Sequence, residues 1–321
     1  MPKGVIFVSY IQTLDRAPRV LLIMNPASGA FQQKSSMYEI VSIFTRAGCV
    51  PMTLMTGGAG DAISFIQMYS HCNDFVVCCG GDGTFSETVT GMMSLPPERR
   101  IPIGFIPAGS TNDVARTIGI PMGNIKKAAR FIVSGDNFHH DVGGFGDDRY
   151  FSYVASFGAF TRVSWQTPRS QKRIFGHMAY LMNGVLALGD IKPWPVHVEC
   201  DGFSEDGEYA FGAVTNSTSL AGIFRFDAER VSLNDGKFEV ALIRHPKTPA
   251  ELEEIIRTLT LRTYYENDGV PSPMVRFFRT DRIRFRPKSE MTWTLDGEFG
   301  GMPEAVEIVN HHGAIELLRH G

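Results

Sequence analysis

The chain predicts an α/β fold: an N-terminal domain built on a parallel βαβ sheet, followed by a strand-rich, mostly antiparallel domain. Three observations carry this expectation. Over the first 140 residues short β-branched runs alternate with helical patterns, as parallel sheets with crossover helices require. Each of those runs ends in a loop of small and polar residues. Past Asp141 the texture changes to Gly-Gly-Phe-Gly-Asp-Asp and then to a succession of strand-like stretches. The boundary is therefore expected near residue 142, giving domains 1–142 and 143–321, with residues 1–17 as an extension.

In order, Arg19–Met24, Val50–Met55, Phe75–Cys79 and Ile103–Ile106 read as strands. Between them Gln33–Ala47, Asp61–His71 and Ser86–Leu95 carry apolar residues three and four apart, the period of a helix with one buried face. In the second domain Tyr150–Phe157, Val196–Glu199, Tyr209–Thr215, Phe238–Ile243, Arg282–Arg286 and Val306–Val309 read as strands, with helices near Gly176–Leu188 and Pro249–Leu261. The stretch Ile174–Gly189 is uncharged but interrupted by His177, Asn183 and glycines, so it reads as a helix packed inside the protein or lining an apolar pocket.

Composition excludes several classes of function. With 31 Lys+Arg against 34 Asp+Glu the formal charge is -3, so nucleic acid is not an expected partner and any anion site must be local. Five cysteines, an odd number without metal-ligand spacing, argue for reduced thiols in a cytoplasm. The N-terminus lacks the small-residue cleavage site of a secretory signal, so Asn216-Ser217-Thr218 is not expected to be glycosylated.

The strand-end loops are Asn25-Pro26-Ala27-Ser28-Gly29, Thr56-Gly57-Gly58-Ala59-Gly60-Asp61, Gly80-Gly81-Asp82-Gly83-Thr84 and Pro107-Ala108-Gly109-Ser110-Thr111-Asn112-Asp113. In a parallel sheet such carboxyl-end loops converge on one crevice. Glycines at 80, 81 and 83 let the backbone approach a phosphate, and a helix from about Ser86 would add its positive N-terminal dipole. Neither G-x-x-x-x-G-K-[ST] nor G-x-G-x-x-G is present, and the loop by itself is equally well a tight turn capped by Asp82 or Thr84.

Gly80–Thr84 followed by Glu87, with Pro107–Asp113 downstream, resembles the diacylglycerol kinase catalytic-domain family, which includes sphingosine kinases and soluble bacterial lipid kinases related to NAD kinases. The resemblance extends from Arg19 over nearly the whole chain, through Asn234-Asp235-Gly236 and Leu295-Asp296-Gly297-Glu298. It implies an ATP-binding α/β domain and a C-terminal β-sandwich. Carried onto this sequence it implies that Asn25, Ser28, Thr56, Gly80, Gly81, Gly83, Thr84 and Glu87 hold the nucleotide, with Asn112 near the inter-domain cleft. Asp82 and Asp113 would organise Mg2+ through water beside the phosphates, and Asp296 would take the proton of a lipid hydroxyl as it attacks the γ-phosphate. Glu298 is a weaker candidate for nucleotide contact, with a surface role equally open. Asp235 matches a segment where soluble bacterial members hold a structural magnesium, although Asn234 stands where many have Asp; a plain β-turn is the alternative. The sequence also departs from the family's pattern in placing Ser86 before Glu87 and Asp61 after Gly60, and Asp61 reads more readily as an N-cap than as a ligand.

His139-His140 and His311-His312 are adjacent pairs whose side chains would point to opposite faces of a strand, so no metal site is expected there. Arg276–Lys288 holds six basic residues and Asp281; on a strand Arg282, Arg284 and Arg286 would share one face, a stripe for an anionic membrane surface unless carboxylates pair with it. The resulting expectation is an ATP- and magnesium-dependent lipid kinase, cytoplasmic and peripheral on the membrane, with homodimerisation open. Phosphorylation of soluble NAD, or a nucleotide-binding regulatory module without catalysis, are the alternatives.

Overall fold

The computed structural model describes residues 10–29, 34–109, 112–158, 191–217, 219–220, 224–225, 231–261 and 272–319. The chain divides into two compact units, one of residues up to His140 together with Gly313 onward, the other Asp141–His312.

In the first unit β1 (Arg19–Met24), β2 (Val50–Met55), β3 (Phe75–Gly80) and β4 (Ile103–Pro107) pair in parallel in the order β2-β1-β3-β4. The crossovers are α1 (Lys34–Arg46), α2 (Asp61–Tyr69) and α3 (Asp82–Met93). Every residue of β3 and β4 is buried. A parallel sheet covered on both faces needs such unbroken apolar strands, and this is why Phe75–Cys79 shows no alternation. By contrast β2, an outer strand, is largely exposed. After β4 come α4 (Asp113–Thr117) and α5 (Ile125–Val133).

The third crossover helix starts at Asp82, four residues before the expected Ser86, so Gly83 and Thr84 lie in its first turn. Glycine's poor helix propensity points to a loop here, but tertiary packing overrides it. Phe85 of α3 stacks on Phe105 of β4 with ring centroids 4.6 Å apart, fixing the first turn against the sheet.

The chain enters the second unit along β5 (Asp136–Phe145). There follow β6 (Arg149–Phe151), β7 (Val154–Gly158), β8 (Trp194–Cys200), β9 (Phe203–Thr215), the short pair β10 (Ser219–Leu220) and β11 (Phe224–Arg225), β12 (Phe238–Arg244), α6 (Pro249–Leu261), β13 (Val275–Thr280), β14 (Arg282–Pro287), β15 (Trp293–Leu295), β16 (Glu298–Gly301) and β17 (Val306–Arg319). The pairings of β7 with β9 and β15, β9 with β8 and β12, β12 with β13, and β14 with β8 and β17 are all antiparallel. Alternate residues of these strands close one core, in which Phe145, Phe157 and Phe285 surround Trp293 at centroid distances of 5.2, 4.9 and 5.1 Å. The end of β17 returns to the first unit, where Leu317 pairs with Ile103 of β4, so the first unit is not a continuous run of sequence. The expected helix near Gly176–Leu188 lies outside the described residues.

Two expectations about this unit change. The single strand Tyr150–Phe157 is two strands, broken at Ser152 and Tyr153, whose backbone N–H groups turn to a carboxylate instead of a neighbouring strand. The arginine stripe is real as geometry, since Ile283 and Phe285 are buried while Arg282, Arg284 and Arg286 share the other face. It is not a bare basic surface. Arg282 and Arg284 both reach Glu307 at 3.1 and 2.8 Å, and Arg286 reaches Glu199 at 3.0 Å. Arg276, Arg279 and Lys288 likewise pair with Glu205, with Asp235 and Glu239, and with Asp206. The charge excess seen along the chain is thus cancelled across the sheet, because β8, β9, β12 and β17 present acids toward it, with Glu239 opposite Arg279 and both Glu199 and Glu307 opposite Arg284 in register.

Candidate active site

In the first unit the strand-end loops are tied to each other. Asn25 follows β1, and its Nδ2 donates to Thr84 Oγ1 at 3.0 Å, joining the first loop to the start of α3. The Asn25 carbonyl accepts from the Ser28 N–H at 3.1 Å, and Ser28 is buried. Thr56 stands one strand away, its N–H on the Met24 carbonyl at 2.9 Å. Gly80 ends β3, and a Cβ there would meet Thr84 Oγ1 at 2.5 Å. Gly109 is tighter still: a Cβ would lie 2.7 Å from Gly81 Cα and 2.8 Å from Asn112 Oδ1. Two loops therefore pass within backbone contact, which only residues without side chains allow.

Asn112 has a left-handed backbone (φ 50°), and its amide clasps Gly109, accepting from the N–H at 3.0 Å and donating to the carbonyl at 2.8 Å. That leaves the N-terminus of α4 without its own cap, and Asp82 supplies one from α3: its carboxylate accepts from the N–H groups of Asp113 and Val114 at 3.2 and 3.3 Å. Asp113 holds Arg116 at 2.8 Å. Asp82 is thus first a brace between two helices.

The N-cap of α3 is Gly81, which has no side chain to cap the first turn, so the N–H groups of this turn and the helix dipole together favour an anion. Such a turn fits a phosphate group. Glu87 lies half-buried one turn further along the helix. Asp61 is not the N-cap of α2. Gly60 caps α2, and the Asp61 carboxylate folds back to accept from Gly57 and Gly58 N–H at 2.7 and 2.9 Å, satisfying the donors of its own loop.

In the second unit Asp296 sits on the turn between β15 and β16 with φ 50°, a left-handed conformation that Asp tolerates better than most residues. Its N–H donates to the Val154 carbonyl at 2.8 Å. Its Oδ2 accepts from Ser152 N–H and Oγ at 2.9 and 3.1 Å, and its Oδ1 from Tyr153 and Val154 N–H at 2.9 and 3.0 Å. Burial pushes this carboxyl above the ordinary carboxylate range, while the hydrogen bonds from Ser152, Val154 and Tyr153 favour the ionised form and oppose that rise. Glu298 is exposed at the start of β16.

Asp235 is engaged by its protein neighbours: its Oδ1 accepts from Lys237 N–H at 3.1 Å, closing a turn, and its Oδ2 is held by Arg279. The Asn234 side-chain oxygen accepts from Ser232 Oγ at 2.8 Å. Among the described residues no cluster of three or more His, Cys, Asp and Glu is arranged to hold a metal. The anchor of this segment is Asp141, a fully buried carboxylate the sequence did not single out. It accepts from Gly236 N–H at 2.7 Å and lies 3.0 Å from His312 Nδ1. His139 is exposed and His140 buried, as the alternation of a strand requires.

Glu239 lies beside this segment, in register with Arg279 and Thr215. Its carboxyl is buried, with Arg279 Nε at 3.3 Å, and burial pushes it up to about 8, against the pull of Arg279. A raised folded-state value means that the stability Glu239 contributes is full below the unfolded carboxyl range and is lost as pH rises toward 8. Glu239→Gln is therefore expected to gain on the wild type by on the order of 2–4 kcal/mol between pH 5 and pH 8.5 in urea unfolding. Parallel pH curves for the two proteins would refute a buried, titrating Glu239.

The cysteines are free thiols. Burial pushes Cys78 up to about 12 and Cys79 well above its usual value, so both are inert and protonated. Among the described residues no helix is long and apolar enough to cross a membrane.

Comparison with known proteins agrees with this architecture. Residues 19–145 match the model of the diacylglycerol kinase catalytic domain, and residues 153–319 match the YegS C-terminal NAD kinase beta sandwich-like domain. A parallel-sheet unit with tied strand-end loops and a β-sandwich unit, matched in this order, define a kinase. The chain belongs to the diacylglycerol kinase catalytic-domain family. It is 33% identical over 303 residues to a diacylglycerol kinase of Bacillus subtilis (strain 168), covering 94% of this chain and 96% of the relative. It is 30% identical over 284 residues to a diacylglycerol kinase of Staphylococcus aureus (strain MRSA252), covering 88% and 87%. A crystal structure of a diacylglycerol kinase from Bacillus anthracis str. Sterne shares the fold, with a TM-score of 0.70 at 22% identity over 94% of this chain and 97% of that one.

Proposed function

We propose that this protein uses magnesium and ATP to phosphorylate the hydroxyl of diacylglycerol or a similar lipid alcohol, giving phosphatidic acid or its analogue. The observation that carries the reading is the first turn of α3, which begins after a glycine N-cap, is tied to Asn25 on one side and has Gly109 packed against its N-cap Gly81 on the other. It has the donors and dipole for phosphate, in a chain that also carries an ionisable Asp296 on a strained turn. The relatives named diacylglycerol kinase, similar over almost all of the chain, support the choice of acceptor.

In this reading Asn25, Ser28, Thr56, Gly80, Gly81, Gly83, Thr84 and Glu87 hold the nucleotide, and Asn112 keeps the fourth loop in place. Asp82 and Asp113 organise the water shell of magnesium, which with ATP supplies the activated phosphoryl group. Asp296 takes the proton of the attacking hydroxyl. Glu298 is a weak candidate for nucleotide contact. The test is a panel of diacylglycerol, sphingoid bases, other lipid alcohols and NAD with labelled ATP, with and without magnesium. Labelled phosphatidic acid that needs magnesium is expected; labelled NADP and no labelled lipid would overturn the reading.

A soluble kinase with a bilayer substrate must work at a lipid surface, so we also propose peripheral membrane contact. The paired arginines of β14 are not its basis. Replacing Arg282, Arg284 and Arg286 by Gln together with their partners Glu199 and Glu307 is expected to change binding to anionic vesicles by less than about fivefold, since a patch whose charges are already largely cancelled contributes little to attraction by a charged leaflet. A loss of tenfold or more would restore the stripe as the membrane face.

A further inference from the structure

The carboxylate of Asp296 has about four acceptor positions, and four donors fill them. Three are backbone N–H groups of Ser152, Tyr153 and Val154, fixed by the turn between β6 and β7. The fourth is the Ser152 hydroxyl, 3.1 Å from Oδ2, which leaves by rotation about a single side-chain bond. A base must offer a lone pair to the proton it takes, and in this arrangement none is open. Only one donor can yield.

We infer that Ser152 is a positioning residue for Asp296: its hydroxyl occupies the Oδ2 position of the free enzyme and gives it up to the substrate hydroxyl. The inference rests on the reading of Asp296 as the base. In the free protein the Ser152 hydroxyl keeps the buried carboxylate oriented and favours its ionised form. When the acceptor binds, its O–H takes that place. The acceptor oxygen then bonds to the γ-phosphorus, the bond from that phosphorus to the β-phosphate oxygen breaks, ADP leaves, and the hydroxyl proton passes to Oδ2.

The surroundings make the effect readable. The groups that bear on the Asp296 carboxyl are the hydrogen bonds of Ser152, Val154 and Tyr153. Of the nearby charged residues, Arg149 on β6 turns to the Phe299 carbonyl at 2.8 Å and Glu298 is exposed. Removing the Ser152 hydroxyl withdraws one hydrogen bond from the ionised form, so the carboxyl of the free enzyme rises.

The test measures kcat and kcat/KM against pH on dioctanoylglycerol in neutral detergent micelles with Mg-ATP, for the wild type, Ser152→Ala, Ser152→Thr and Asp296→Asn. Because kcat/KM reports the free enzyme and kcat the substrate complex, Ser152→Ala is expected to move the acid limb of kcat/KM up by about one pH unit and leave that of kcat in place. Ser152→Thr should restore the wild-type limb. Equal movement of both limbs would show that the hydroxyl stays on Asp296 during turnover, and a collapse of kcat with neither limb moved would make Ser152 a proton relay; either result overturns the inference. Titration of the 13C-labelled Asp296 carboxyl in the substrate-free protein, assigned with Asp296→Asn, judges it without turnover: an unmoved titration in Ser152→Ala refutes it. Full activity in Asp296→Asn would instead remove the base reading itself.

Discussion

Asp296→Asn is expected to bind ATP with wild-type affinity and to lose lipid phosphorylation by about 10² to 10⁴, the range of a general base. The strand-end loops proposed to hold the nucleotide belong to the first unit and Asp296 to the second, so the substitution leaves the first unit's hydrogen bonds intact. Asn also accepts the left-handed backbone that Asp296 adopts at φ 50°. What it cannot do is accept four hydrogen bonds, since its amide nitrogen would face N–H groups now held by one carboxylate oxygen. Thermal unfolding alongside the kinetics separates the two effects. Turnover within tenfold of the wild type would take Asp296 out of the proton transfer.

The second large effect is expected at Gly109. A methyl group there would lie 2.7 Å from Gly81 Cα and 2.8 Å from Asn112 Oδ1, and neither loop can yield without moving the other. Gly109→Ala should cost about 1–3 kcal/mol of stability through overpacking. It should also weaken ATP binding about tenfold or more, because displacing Gly81 shifts the N-cap of α3 and the donors of its first turn. Gly58→Ala is the control, since a Cβ at that position meets nothing within 4 Å. Calorimetric ATP affinity and melting temperature equal to the control's would mean that the two loops are not held in backbone contact.

Much of the site is legible along the chain because its parts are local. The strand-end loops of the first unit keep their places, since buried parallel strands such as Phe75–Gly80 are apolar throughout and the loops begin where the glycines do. The start of α3 is not local in this way. Gly83 in a first helical turn looks like loop until Thr84 is seen packed under Gly80 and held by Asn25. The same holds for Asp82, whose partners lie 31 and 32 residues on.

By itself the sequence determined the order of elements, the two-part organisation, the four loops and the family resemblance, because hydrophobic period and turn chemistry act over a few residues. Tertiary structure alone decided which charges meet. The basic run Arg276–Lys288 reads as a cationic stripe until β8, β9, β12 and β17 bring Glu199, Glu205, Asp206, Glu239 and Glu307 against it. Arg279 closes on Asp235 across 44 residues, and Ser152 reaches Asp296 across 144. Pairings of that separation are fixed by strand register and loop closure, and Coulomb attraction acts on distance in space, to which position along the chain is no guide.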